Sequence, residues 1–155
     1  MTKKKYLSFG IIILITFLPS AIGGYVTSSF KEPWYSQIIL PAFNPPSWVF
    51  GPVWTTLYIL MSVAAWKAWI TNFKINPLKI YFIHIFFNSI WSVIFFGFHS
   101  PFIALLDLII ILILIIYLMK LYYKINFFSF FLMIPYFIWS FYALILNTSI
   151  VILNN

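Results

Sequence analysis

The sequence predicts an all-α integral membrane protein, a bundle of five transmembrane helices, and three observations carry that expectation. Of the 155 residues, 64% are hydrophobic and 7% charged, with a mean hydropathy of +1.05. That leaves too little polar surface to clothe a soluble globule. Five apolar segments follow one another, each on the order of 20 to 25 residues, enough to cross ~30 Å of hydrocarbon. Lysines punctuate the ends of those segments.

The first segment, 6–28, follows Lys3, Lys4 and Lys5. This resembles the start of a secretory signal, but the apolar run is long and Gly23-Gly24-Tyr25 makes a poor cleavage site, so the segment is expected to stay. Pro19 and the glycine pair are expected to loosen or kink it. An outer loop, 29–46, comes next, and Pro41, Pro45 and Pro46 exclude a helix interior there. The second segment, 47–70, carries Trp48, Phe50, Trp54 and Tyr58 at roughly helical spacing, with Pro52 in its first turns, where a missing N–H costs least. The third runs 79–98, the fourth 101–123 and the fifth 127–153, where Pro135 is expected to kink the chain. No linker is long enough to divide the chain, so 1–155 reads as one transmembrane domain.

With five spans, Lys3, Lys4, Lys5, Lys67, Lys74, Lys79, Lys120 and Lys124 fall on one side and only Lys31 on the other. The positive-inside rule then puts the N-terminus in the cytoplasm and the aromatic loop on the far side. The net charge of +7 is thus a topology signal; no basic stripe forms that would fit a nucleic acid. There is no cysteine, hence no disulfide framework and no thiolate nucleophile or metal ligand.

Three helices carry stripes at i, i+4, i+7 and i+11. These are Trp54, Tyr58, Met61 and Ala65; His84, Asn88, Trp91 and Phe95; and Trp139, Ala143, Leu146 and Ile150, with Asn147 beside the last. Polar groups at membrane depth are disfavoured unless they pair or line a cavity, so Asn88 and Asn147 should face the interior. They either bridge helices or help wall a ligand pocket. Asp107, the one acidic residue inside a span, reads as a packing carboxylic acid or a proton-handling group. His84 reads as a hydrogen-bonded packing residue near the headgroups rather than a haem ligand. No nucleophile, acid–base pair, phosphate loop or metal cluster is spaced for catalysis, so no metal and no required cofactor are expected.

Several ordered stretches resemble one family. Trp34-Tyr35 is followed by LPAFNPPSWVFGPVWTTLY from Leu40 to Tyr58. To these are added Gly23-Gly24, FNSIWSVIFFG from Phe87 to Gly97, ALLDL from Ala104 to Leu108, and PYFIWSFYALILN from Pro135 to Asn147. Together they resemble the TspO/MBR family, the tryptophan-rich sensory proteins related to the mitochondrial translocator proteins. That resemblance implies a five-helix bundle, commonly a homodimer; with the lysine topology, the membrane expected is a bacterial cytoplasmic (inner) one. The resemblance also implies a pocket beneath the first loop that takes porphyrin or haem as ligand. Carried over by position, the pocket uses Trp34 and Phe43 from the loop, Phe50 and Trp54 from the second helix, Asn88 and Trp91 from the third, and Trp139, Ala143 and Leu146 from the fifth. The stripe on the second helix adds Tyr58. Stacking on flat aromatic walls suits a macrocycle of high apolar area.

The chain departs from the family pattern at Phe43, where a tryptophan is usual. It departs again at Thr148 and Ile152, where the animal sterol motif needs a tyrosine and a basic residue, so sterol is not an expected partner through that motif. Two functions stay open: a tetrapyrrole binder acting as sensor, carrier or regulator, and a light- and oxygen-dependent degradation of protoporphyrin IX using Trp54 and Trp139.

Overall fold

In a computed structural model, described over residues 2–72 and 77–155, the chain is helical with no strand among the described residues. Lys74, one of the lysines in the topology count, lies outside them. The elements are α1 (Thr2–Thr16), α2 (Leu18–Phe30), α3 (Trp34–Gln37), α4 (Ser47–Thr71), α5 (Pro77–Ser92) with a π-helical extension Val93–Gly97, α6 (Pro101–Ile125) and α7 (Phe127–Leu153). Five stretches are long and apolar enough to cross a bilayer: Lys5–Phe30, Ser47–Thr71, Pro77–Gly97, Pro101–Ile125 and Phe127–Leu153. The protein is therefore a multi-pass integral membrane protein.

Prolines shape the spans unequally. The first span breaks at Phe17, and Pro19 sits in the opening turn of α2, where it has no N–H to offer the preceding turn. Its interruption is that of a proline, two residues before the ring. Pro52 and Pro135 lie inside helices that run on without a break. The expected kink at Pro135 is therefore no interruption of α7, because α4 and α6 pack against it and hold its course. The outer loop is also more ordered than its prolines imply, since Trp34–Gln37 forms a short helix.

The main core lies in the half of the bundle away from that loop. There Met61, Ala64, Ala65 and Ala68 of α4 meet Ile12 of α1, Tyr81 and Ile85 of α5, Ile115, Leu118 and Tyr122 of α6, and Met133 and Tyr136 of α7. In lipid the drive for association is packing and hydrogen bonding, and three alanines on one face let neighbouring backbones come close. Trp66 Nε1 donates to the Lys5 carbonyl at 3.1 Å, fixing α1 to the far end of α4. Leu14, Ile113, Phe131, Ile138 and Ile152 point outward, as lipid requires.

On the loop side the packing is thinner, and α2 leans on α5 through Gly23. A Cβ built there would stand 2.8 Å from Ser92 Oγ and 3.4 Å from its Cβ, whereas one at Gly24 would meet nothing within 4 Å. We expect Gly23→Leu to lower the thermal midpoint in detergent, with an overpacking cost of about 1–3 kcal/mol. Gly24→Ala should leave that midpoint nearly unchanged. Equal effects of the two would show that the α2–α5 approach is not a constraint.

Candidate functional site

Above the core the helices part around a cavity of about 610 Å³. α2 supplies one side with small residues, Ser20, Gly23, Gly24 and Thr27. α4 supplies Phe50, Trp54 and Tyr58; α5 and its π-helical extension supply Asn88, Trp91, Ser92, Phe95 and Phe96; and α7 supplies Trp139, Ser140, Ala143, Leu146 and Asn147. The wall is thus aromatic on three sides and nearly flat on the fourth, because glycine and serine leave room that larger side chains would fill.

The rings are held by one another. Trp54 stacks on Tyr58 with centroids 5.3 Å apart and meets Tyr136 edge-on at 6.2 Å. Phe50 meets Trp139 edge-on at 6.0 Å, and Trp91 stacks on Phe95 at 5.0 Å. These are the offset and T-shaped arrangements that ring quadrupoles favour. The π-helical turn contributes here: Phe98 N–H bonds back to the Val93 carbonyl at 2.9 Å, and adjacent Phe95 and Phe96 both reach the wall. Widened turns of this kind recur at functional sites.

The floor is a hydrogen-bonded cluster. Tyr58 Oη donates to Asn88 Oδ1 at 3.0 Å, Asn88 Nδ2 donates to Tyr136 Oη at 2.9 Å, and Tyr136 Oη lies 2.7 Å from His84 Nε2. Asn88 both bridges three helices and faces the cavity, so the two alternatives for it coincide. Asn147 does likewise: its Nδ2 donates to the Pro101 carbonyl at 2.9 Å while it lines the wall. His84 is fully buried in the bundle core, two turns from the start of α5, and its Nε2 is engaged by Tyr136, as a hydrogen-bonded packing residue would be. Asp107 is buried off the cavity wall, and neither of its oxygens has a partner among the described residues. No group of three or more His, Asp or Glu side chains that could hold a metal occurs among those residues.

Eight of the ten residues singled out from sequence line the cavity: Phe50, Trp54, Tyr58, Asn88, Trp91, Trp139, Ala143 and Leu146. Trp34 and Phe43 do not. Trp34 sits behind the wall, edge-on to Phe95 at 5.5 Å and stacked on His99 at 4.7 Å, so it braces Phe95 and, through it, Trp91. Phe43 packs edge-on to Tyr142 at 6.4 Å, and Tyr142 Oη donates to the Phe43 carbonyl at 2.7 Å. The loop is held as a cover from outside.

Sequence reasoning missed the fastenings of that cover. Asn154 Oδ1 accepts from Ile39 N–H at 2.8 Å and its Nδ2 donates to the Ile39 carbonyl at 2.9 Å, a pairing that only the folded chain creates. His99, at φ 49°, approaches the Phe30 carbonyl through Nε2 at 2.9 Å. Tyr35, on the rim, has its phenol raised above the ordinary range by burial and by the Glu32 charge, with an opposing hydrogen bond to Asn44. The rim residues Lys31 and Glu32 carried no site signal in a single sequence.

Fold and site together define a multi-pass helical membrane protein with an aromatic-walled cavity whose mouth is bordered by a tethered outer loop. Residues 11–153 match the TspO/MBR family, and the chain belongs to that family. It is similar to the tryptophan-rich protein TspO of Chlorobaculum tepidum, 31% identical over 155 residues that cover 97% of this chain and 98% of the relative. The tryptophan-rich protein TspO of Archaeoglobus fulgidus is 34% identical over 135 residues, 85% of this chain and 87% of the relative. The human translocator protein is 35% identical over 105 residues, 62% of each chain.

Tyr136→Phe would strand Asn88 Nδ2 and His84 Nε2 in the core, and we expect it to destabilise the bundle by about 1–3 kcal/mol, read from unfolding in detergent. Tyr122→Phe is the contrast, because the Tyr122 hydroxyl is buried without a partner among the described residues. It should be neutral or mildly stabilising, and an ordering reversed from this would remove the cluster from its structural role.

Proposed function

We propose that this protein binds a porphyrin- or haem-type tetrapyrrole within its helix bundle and acts as a sensor, carrier or regulator of tetrapyrrole levels. The observation that carries the proposal is the shape and lining of the cavity. Its volume of about 610 Å³ falls in the range of small-molecule sites, and Trp54, Trp91, Trp139 and Phe50 offer flat apolar faces around it. A planar macrocycle gains most from such walls, while Asn88 and Tyr58 give a few polar contacts below. Ala143 beside Trp139 supplies clearance. We further propose that the protein lies in a bacterial cytoplasmic membrane with its N-terminus on the cytoplasmic side and the loop on the far side, on the lysine distribution.

Titration of the purified protein with protoporphyrin IX in the dark, followed by tryptophan fluorescence, tests this reading. Saturable quenching is expected, with affinity reduced about 5- to 30-fold in Trp54→Phe or Trp139→Phe if each indole contributes ~1–2 kcal/mol of stacking. Absence of saturable quenching would discard the tetrapyrrole.

A second reading rests on a specific placement: Trp54 and Trp139, both oxidisable indoles, line the same cavity, and Trp54 stacks on Tyr58. Such a site could support light- and oxygen-dependent degradation of bound protoporphyrin IX without any acid–base pair. Illumination would then bleach the porphyrin faster than in a protein-free control, and Trp54→Phe and Trp139→Phe would slow the loss. Bleaching at the control rate would leave binding as the function.

A further inference from the structure

The cavity is not uniform from mouth to floor. Tyr58, Asn88, Leu108 and Ile111 close its deep end, whereas Thr27, Ser28, Lys31, Glu32, Tyr35 and Ser47 gather where α2 ends and α4 begins. Of all the lining residues only Lys31 and Glu32 carry charge. Lys31 is half-buried, and its ammonium lies 4.6 Å from the centroid of the Tyr35 ring. It holds no carboxylate partner among the described residues. Glu32 is exposed to water beside it.

We propose that Lys31 anchors a carboxylate of the ligand at the mouth, so that the site selects an anionic amphipathic molecule and holds it acidic edge outward, apolar edge toward Tyr58 and Asn88. This inference rests on the tetrapyrrole reading and adds to it which end of the macrocycle faces the loop and which chemical forms are preferred. The Lys31 stem is partly buried and its ammonium is held over the Tyr35 ring at the rim, where a charge-assisted hydrogen bond to a carboxylate is available. The aromatic face beneath it fixes the direction of the stem and keeps the charge at the rim. Lys31 is also the single lysine assigned to this side of the membrane, so its field at the mouth is not shared with a basic cluster. Glu32 opposes a carboxylate on its own flank, which confines the anchored group to the Lys31 side of the mouth.

The test uses the full chain in a micelle with an uncharged headgroup, in the dark, titrated with protoporphyrin IX and, separately, with its dimethyl ester. The readout is the ratio of the two affinities, which a general loosening of the cavity does not set. Wild type should prefer the acid by about tenfold, a margin that shrinks at high salt. Lys31→Met should bring the ratio near one, Lys31→Arg should largely preserve it, and Glu32→Gln should increase it. Equal affinity of wild type for acid and ester, or a preference that survives Lys31→Met, would overturn the anchor while leaving the tetrapyrrole reading in place. Binding of neither compound would remove both.

Discussion

Asn88 is the point on which the site depends. An amide at membrane depth has no water to satisfy it, so its two ends must find partners in protein. Here they find Tyr58 on α4 and Tyr136 on α7, and the second tyrosine reaches on to His84, one turn from Asn88 on its own helix. Three spans are thereby pinned at one level. Below it they close on alanine and large buried aromatics; above it they are free to part. A cavity in a membrane bundle needs such a pin, because lipid supplies little pressure toward one particular arrangement of apolar helices.

The cavity also needs a lid whose backbone is satisfied. The segment after α3 carries no regular structure over residues 38–46, and its stability comes from side chains reaching across. Tyr142 on α7 and Asn154 at its C-cap bond the Phe43 and Ile39 backbone, and His99 reaches the Phe30 carbonyl between the spans. Tethers at Ile39 and Phe43 from α7 and its C-cap make the cover a part of the bundle. That arrangement explains why Trp34 and Phe43 act at a distance from the cavity. Trp34 supports Phe95, which supports Trp91, and Phe43 is fixed against Tyr142.

The asymmetry between mouth and floor follows from where each helix starts and stops. α2 ends at a lysine over a tyrosine ring with Glu32 next to it, so charge collects at one end of an otherwise apolar space. The deep end lies against the packed core, where only neutral hydrogen-bonding groups are tolerated. A ligand with one acidic and one apolar edge matches that polarity in one orientation.

By itself the sequence determined the class and most of the wall. Runs of apolar residues with lysines at their ends fix five spans because lipid imposes a length and a composition. The i, i+4, i+7 spacing of Trp54 and Tyr58, of Asn88 and Trp91, and of Trp139, Ala143 and Leu146 places each set on one helical face, and ordered motifs make the family legible. Spacing speaks within a helix and is silent between helices. That His84 would meet Tyr136, that Trp34 would stand behind Phe95, that Pro135 would leave α7 unbroken, and that Asn154 would clasp Ile39, 115 positions away in the chain, were decided by the tertiary structure. Each is a contact between segments whose separation in sequence carries no periodic signal, and only the packing of five helices brings them together.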